Sequence, residues 1–171
     1  RAVKVIVKEG VTYLPEEAFE GFVLLESVEL PSTLEAIGDK AFVDCESLKT
    51  VSISEGLQVI GEYAFHRCEQ LESAPLPRSI KVIGSHAFAQ CYALQEAVIP
   101  EGIESIGYAA FAACTSIKRV VIPEGITQVD NWFVNCSGVT ELSFPSTLQV
   151  IGTEAFKNYD SLTELSIPEG V

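Results

Sequence analysis

One stretch decides the fold: Val98-Ile99-Pro100-Glu101-Gly102-Ile103-Glu104-Ser105-Ile106-Gly107-Tyr108-Ala109-Ala110-Phe111-Ala112-Ala113-Cys114. Its pattern recurs along the chain, most visibly as an alanine followed by a phenylalanine. That pair falls at Ala18-Phe19, Ala41-Phe42, Ala64-Phe65, Ala87-Phe88, Ala110-Phe111 and Ala155-Phe156, with Trp132-Phe133 in the sixth copy, where one residue is missing. The period is otherwise 23 residues, and self-similarity at about 20–50 residues predicts a solenoid.

Each copy begins as a short strand. In the second copy, Val28 and Leu30 point inward with Glu29 outward between them, which is the alternation of a β-strand. Pro31-Ser32-Thr33 then turns the chain, and several other copies have Pro-Glu-Gly there, a sequence that suits a type I turn. Leu34 and Ile37 are the next inward residues, and Gly38 after them predicts a corner of the chain.

The second half of the copy predicts a short helix. Asp39 is placed to cap a helix N-terminus. Ala41, Cys45 and Leu48 fall at i, i+4 and i+7, on one helical face. The available length fits one or two turns of α-helix or 3₁₀-helix.

No single copy can bury its own apolar residues, whereas stacked copies cover one another. The sequence therefore predicts an α/β repeat fold: one right-handed solenoid domain over 1–171, with parallel strands about 4.8 Å apart. The predicted copies are 5–27, 28–50, 51–73, 74–96, 97–119, 120–141 and 142–164, followed by the start of an eighth, with the terminal caps missing.

Two copies depart from the pattern. Pro75 lies within the strand of the fourth copy, where a residue without an N–H group weakens strand pairing. In the sixth copy a residue is missing and Trp132 replaces a small alanine, and a packed interior cannot absorb that volume without local movement. We expect the solenoid to bend there, at 129–134.

The run from Leu25 to Cys45 reads Leu-x-x-Val-x-Leu-Pro-x-x-Leu-x-x-Ile-Gly-x-x-Ala-Phe-x-x-Cys. It resembles the 23-residue bacterial leucine-rich repeat of the BspA-like, or Treponema pallidum-type, proteins, and the resemblance covers essentially the whole chain. It implies a curved solenoid on a cell surface or in a secreted protein, with a role in adhesion and protein binding rather than catalysis. The chain itself shows no signal peptide, so this location rests on the resemblance.

The net charge and the apolar runs of the chain limit the classes of partner that it is expected to bind. The net charge of −13 argues against nucleic acid, because a binder must place Lys and Arg on the phosphates, and against anionic membranes for the same reason. No apolar run approaches the length of a membrane span, so membrane insertion is not expected. The expected partner is a protein ligand, with host extracellular or cell-surface proteins as candidates. The oligomeric state is not predicted.

Five cysteines share one position of five successive copies: Cys45, Cys68, Cys91, Cys114 and Cys136. Metal ligands would have to converge, and side chains in a row run parallel instead. The parallel side chains and the odd count also disfavour disulfides. The row predicts buried free thiols that pack as small apolar side chains. No metal or cofactor is expected.

No catalytic set can be assembled, so the chain is predicted not to be an enzyme. His66 and His86 are the only histidines, and their different phases in the repeat predict that they do not meet at one site. Acidic residues in the turns after the first strands are interpreted as a solvated rim: Glu9, Glu55, Glu101, Glu124 and Glu169.

The outward strand positions are mostly polar, except in three neighbouring copies, which have Pro75, Val98 and Val121. Stacked side by side, these residues would form an apolar stripe with charged neighbours: Glu96, Lys118 and Arg119. Exposed apolar surface rimmed by charge often marks an interaction site. Valine is also an ordinary strand residue, so both interpretations stay open. As a binding site, the stripe predicts a partner with an apolar ridge and, because of the arginine, acidic flanks.

Trp132 is the only tryptophan. As an exposed aromatic residue it would be a further ligand contact. As a core residue it would fill the space left by the missing residue, which is the favoured interpretation.

The sequence thus predicts a non-catalytic interaction or adhesion module that binds through its strands, centred on Val98 and Val121. One alternative is a structural spacer that carries other domains. Another is an accessory carbohydrate-binding or enzyme-attached module. A uniformly polar strand surface would favour the spacer, and a pocket lined by aromatic residues and carboxylates would favour the accessory module.

Overall fold

The computed structural model describes residues 3–171. Within that range it contains thirteen short strands: β1 (Val3–Ile6), β2 (Tyr13–Leu14), β3 (Leu25–Glu29), β4 (Ala36–Ile37), β5 (Thr50–Ser52), β6 (Val59–Ile60), β7 (Val82–Ile83), β8 (Ala97–Val98), β9 (Ser105–Ile106), β10 (Arg119–Val121), β11 (Gln128–Val129), β12 (Glu141–Ser143) and β13 (Val150–Ile151). Every pairing is parallel and joins equivalent positions of neighbouring copies, such as Ile6 with Glu29. The solenoid predicted from the repeat is confirmed.

The strands form two rows, and each row is interrupted once. The first row, which carries the outward positions discussed above, forms two sheets of three strands, β1-β3-β5 and β12-β10-β8. The second row forms a five-stranded sheet, β2-β4-β6-β7-β9, and a separate pair, β11-β13. The two interruptions fall in different copies.

The first row is interrupted at Pro75. Within residues 3–171 the first row has no strand in the fourth copy, between β5 and β8, where Ser73 forms only an isolated bridge with Thr50. Proline has no N–H group to donate to a neighbouring strand, so it cannot take part fully in a parallel ladder. The weakened pairing predicted at Pro75 is confirmed.

The second row is interrupted between β9 and β11, at the copy that lacks one residue. In regular copies a corner N–H group donates to the preceding copy, as from Gly84 to the carbonyl of Ile60 and from Gly107 to that of Ile83, both at 2.8 Å. Within residues 3–171, the corresponding bond from Asp130 to Ile106 is not formed. The missing residue therefore breaks local pairing, while the bend at 129–134 stays a prediction.

The core is a row of stacked phenylalanines. Adjacent rings lie 4.9–5.1 Å apart at their centroids and within 10° of parallel, through Phe19, Phe42, Phe65, Phe88, Phe111 and Phe133. Alanines and cysteines flank the row and are buried, as are Ile37, Ile60 and Ile83 from the second strand row. Each copy therefore covers the apolar surface of its neighbour, as a solenoid requires.

No helix occurs in residues 3–171, so the predicted helical or 3₁₀ turns are wrong. Lys40 and Asp44 have φ angles of 54° and 58°, which place them at the third position of type II turns. Alternate residues bond to the next copy instead, as from the Phe42 N–H to the Ala64 carbonyl at 2.7 Å. The predicted helix cap, Asp39, instead accepts a bond from the Glu62 N–H at 2.7 Å. Carbonyl groups of the next copy therefore accept the backbone N–H bonds that a helix would form within itself.

Candidate functional site

The outward side of the first strand row in copies four to six is termed the strand face, and it carries Pro75, Val98 and Val121. Val98 is 63% exposed and Val121 is half-buried. The two valines are direct partners in the β8–β10 pairing. Their strand neighbours Ala97 and Val120 point inward and are buried. The strand alternation therefore places two adjacent valines outward, as the sequence predicts.

Pro75 does not extend this valine pair as a continuous stripe. Since its strand is absent, a cleft of about 140 Å³ separates it from Val98. The cleft is lined by six residues: Ser73, Ala74, Pro75, Leu76, Glu96 and Val98. The strand face is therefore a valine pair beside a cleft, rather than three apolar residues in contact.

Val98 also borders two further depressions. One, of about 100 Å³, lies on the side of copy six and is lined by Glu96, Ala97, Val98, Arg119 and Val121. The other is a groove of about 550 Å³ along the turns, where Pro100, Pro123 and Pro145 line successive copies. The exposed valine thus stands where three concave surfaces meet.

The charged residues of the strand face differ in whether they already form an ion pair. The Nε atom of Arg119 lies 3.4 Å from Oε2 of Glu141, and both side chains are about two-thirds exposed. Glu96 and Lys118 are exposed and form no ion pair within residues 3–171. The arginine is thus already partnered, whereas the glutamate beside the cleft is available.

Trp132 lies in the interior, with 7% of its surface exposed. Its carbonyl accepts the Phe111 N–H at 2.8 Å. It borders a different cleft, of about 240 Å³, together with Ile103, Ile126 and Gln128, where β9 and β11 fail to pair. The core interpretation is correct. The candidate ligand contact at Trp132 is corrected, because this residue is not part of the strand face.

All five cysteines are free and buried, which confirms the predicted thiol row. Each thiol donates a hydrogen bond to the carbonyl of a phenylalanine in the preceding copy, as Cys68 does to Phe42 at 3.2 Å. Burial raises the pKa of Cys45 to about 11 and that of Cys136 to about 12, and it raises the pKa of the three between them well above 9.0. Protonated thiols are poor nucleophiles and poor metal ligands.

The two histidines do meet, which corrects the prediction made from their repeat phases. The ring centroids of His66 and His86 lie 6.4 Å apart, and Tyr63 stacks on His86 at 4.9 Å and 14°. Tyr108 packs edge-on against His86 at 5.4 Å. The signal was present in the sequence, because Tyr63 and His86 are 23 residues apart and so share one position of the repeat.

The histidine cluster shows no sign of a catalytic arrangement. Burial lowers the pKa of His66, and the neighbouring His86 lowers it further; burial also lowers the pKa of His86. Among the described residues, no serine or cysteine hydrogen-bonds to either ring, and no group of three or more His, Cys, Asp or Glu side chains could hold a metal ion. The rings mainly pack against one another.

Two of the turn glutamates are not simply a solvated rim. The carboxylate of Glu9 accepts bonds from the N–H and hydroxyl of Ser32 at 3.0 and 2.9 Å, and Glu124 binds Ser146 in the same way. The backbone N–H bond, followed by the hydroxyl bond, lowers the pKa of both glutamates. These two residues link the turns of adjacent copies.

A model of the "BspA type Leucine rich repeat region (6 copies)" matches residues 2–116 and 81–171. The chain belongs to the BspA-type leucine-rich repeat family. Within residues 3–171 of this BspA-type chain, no helix is long and apolar enough to cross a membrane. A comparison with curated proteins finds no match.

Solved structures support the same assignment. The T. pallidum leucine-rich repeat protein TpLRR is 31% identical, with a TM-score of 0.90, and the match covers 95% of this BspA-type chain and 79% of that one. Two further structures share the fold. A Bacteroides ovatus leucine-rich repeat protein is 21% identical, with a TM-score of 0.62, and the match covers 97% of this chain and 75% of that one. The pneumococcal vaccine antigen PcpA is 24% identical, with a TM-score of 0.59, and the match covers 85% of this chain and 35% of that one.

Proposed function

We propose that this BspA-type chain is a non-catalytic interaction module that binds a protein partner through the strand face of copies four to six. We further propose, from its membership of the BspA-type family, that the protein that contains it lies at a bacterial surface or is secreted. One observation carries the proposal: Val98 is 63% exposed and is paired with the outward Val121.

Strand formation alone does not require valine at this position. Ser52 and Ser143 occupy the same position in β5 and β12, and both pair normally with neighbouring strands. The exposed Val98 therefore adds apolar surface that strand pairing does not require. Covering one valine side chain with a partner would contribute about 1–2 kcal/mol, at about 25 cal/mol per Å².

The surroundings favour binding over a passive spacer role. A spacer would be expected to keep a uniformly polar strand face, whereas Val98 lies between three depressions that a partner could enter. The accessory carbohydrate module is less favoured, since each of the five clefts found in the described residues is lined by at most one aromatic side chain. The exposed ion pair of Arg119 with Glu141 contributes little to affinity, because such pairs are worth about 0–1 kcal/mol.

The test compares the wild-type chain with Val98→Glu/Val121→Glu as immobilised baits for host extracellular proteins, read by quantitative mass spectrometry. Val150→Glu is the matched control, because Val150 is 47% exposed but lies in β13 of the second strand row. We expect a protein to be retained by the wild type and the control and lost from the double variant. That protein is then purified and its affinity is measured directly.

All three chains should unfold at nearly the same temperature, since surface substitutions usually change stability by less than about 0.5 kcal/mol. A purified ligand that binds the wild type and the double variant equally would show that the strand face is not the binding site.

A further inference from the structure

We infer that the cleft between Pro75 and Val98 receives one aliphatic side chain of the partner, and that Glu96 at its rim selects a partner with a lysine or arginine beside that side chain. The inference rests on the proposed function and adds the chemistry of the partner to it. It follows from the size of the cleft, from the unpaired backbone of the two copies that border it, and from its charge.

The cleft is built to hold an apolar group. Ala74 and Leu76 lie within it and are themselves partly buried against the core, while Pro75 and Val98 are exposed. Its volume is about 140 Å³. A cavity of about 150 Å³ lined by apolar side chains can hold a benzene-sized molecule, so there is room for a leucine or isoleucine side chain. Binding energy at protein interfaces concentrates where such anchors fill pockets.

The cleft lies where copies four and five do not pair in the first strand row. In regular copies, the residue after each outward position donates its N–H group to the outward carbonyl of the next copy, as Leu30 does to Ser52 at 3.2 Å. Within residues 3–171, Leu76 forms no such bond to the carbonyl of Val98. The cleft is therefore available to a partner without the loss of an existing backbone hydrogen bond.

The charge at the cleft favours a cationic neighbour. Glu96 lines the cleft, is exposed, and has no ion-pair partner within residues 3–171. Arg119 is engaged with Glu141, and neither Lys118 nor Arg78 lines the cleft. The net charge of −13 would also speed the approach of a basic partner. This reverses the acidic flanks that the sequence predicts from Arg119.

The experiment uses three capped pentapeptides as probes, and their binding is followed by amide chemical shifts of the isotopically labelled chain. The central residues are Lys-Leu-Lys, Glu-Leu-Glu or Lys-Ser-Lys, each flanked by glycine. We expect the Lys-Leu-Lys peptide, at millimolar concentration, to shift the amides that surround the cleft: Ser73, Ala74, Leu76, Glu96 and Val98. The other two peptides should bind at least tenfold more weakly.

Three variants test the parts of the inference separately. Glu96→Lys should weaken Lys-Leu-Lys binding at least tenfold, whereas Glu35→Lys, a charge reversal at another exposed glutamate outside the strand face, should not. Ser73→Trp places an indole at an exposed position of the cleft lining, so it should fill the cleft and abolish Lys-Leu-Lys binding.

The outcomes distinguish this inference from the proposed function. Shifts confined to Val98 and Val121 would overturn the cleft as an anchor site and leave the strand face as the binding surface. Equal binding of the Lys-Leu-Lys and Glu-Leu-Glu peptides would overturn the role of Glu96. Binding that survives filling of the cleft in Ser73→Trp, or no binding of any peptide at the cleft, would overturn the inference, while the proposed function is still decided by the Val98→Glu/Val121→Glu experiment.

Discussion

The Sγ atom of Cys91 lies 3.2 Å from the carbonyl oxygen of Phe65 and donates a hydrogen bond to it. The same carbonyl also accepts the N–H of Cys68 at 3.1 Å, so its two lone pairs are used by two successive copies. The contact repeats along the row, from Cys45 with Phe19 to Cys136 with Phe111. A small side chain that carries a weak donor fits this position, which explains a row of thiols without catalysis, metal or disulfides.

The first prediction concerns thiol reactivity. In native buffer near pH 8, a thiol reagent should label few cysteines, because only thiolates react and burial raises every cysteine pKa in the row. Labelling should begin at Cys45 and Cys136, because each stands at one end of the row and has a neighbouring thiol on one side only. In denaturant all five cysteines should react. A native disulfide found by mass spectrometry would contradict the prediction.

The second prediction compares two glycines that are required for different reasons. A Cβ atom on Gly84 would lie 2.5 Å from the backbone nitrogen of Glu62, so Gly84→Ala must push two copies apart. We expect a loss of at least about 2 kcal/mol, or about 4–8 °C in unfolding temperature.

The matched variant is Gly125→Ala. Its Cβ meets nothing within 4 Å, and only the positive φ of 93° is unfavourable, which costs about 1–2 kcal/mol. Thermal unfolding followed by circular dichroism measures both variants. A smaller loss for Gly84→Ala than for Gly125→Ala would show that the copies are not in close contact at their corners.

The third prediction is a loss of stability in mild acid caused by the histidine cluster. The pKa values of His66 and His86 are lowered below 6.5 in the folded chain, so the unfolded chain binds more protons. The two neutral histidines therefore make their full contribution to the free energy of unfolding above about pH 6.5, and this contribution is lost as the pH falls below that value. Glu9 and Glu124, whose pKa values are lowered from 4.5, change the stability only at lower pH, where their carboxylates become protonated.

Urea unfolding at pH 7.5, 6.5 and 5.5 measures this effect. The wild type should lose stability between the first and last of these values, and His66→Gln/His86→Gln should lose less. The same pH dependence in both chains would exclude the histidines as its cause.

The fourth prediction concerns the sixth copy. Since β11 does not pair with β9, the amides of Gln128 and Asp130 should exchange with deuterium at least tenfold faster than that of Val82, which donates to the Gln58 carbonyl at 3.1 Å. In a crystal structure, superposed consecutive copies should deviate most at 129–134. Equal protection of the three amides, together with an even stacking transform, would contradict the prediction.

Several features could be predicted from the sequence because they are properties of one copy repeated. The Ala-Phe period determines that equivalent residues stack, so the phenylalanine row, the buried cysteines and the parallel strands follow from spacing alone. The weakened pairing of the fourth copy with β5 was predictable for the same reason, since Pro75 has no N–H group to donate to it. The outward position of Val98 follows from strand alternation.

The remaining features depend on contacts between copies, which a single repeat does not reveal. The segment around Ala41 and Cys45 has helical spacing, yet it forms type II turns because the next copy supplies a carbonyl acceptor at every second residue. Those turns bring His66 and His86 together. Likewise, only the packed structure shows that Trp132 is buried, that Arg119 already binds Glu141, and that a cleft separates Pro75 from Val98. Apolar periodicity determines which residues face inward, whereas the hydrogen bonds available from the neighbouring copy determine the backbone between them.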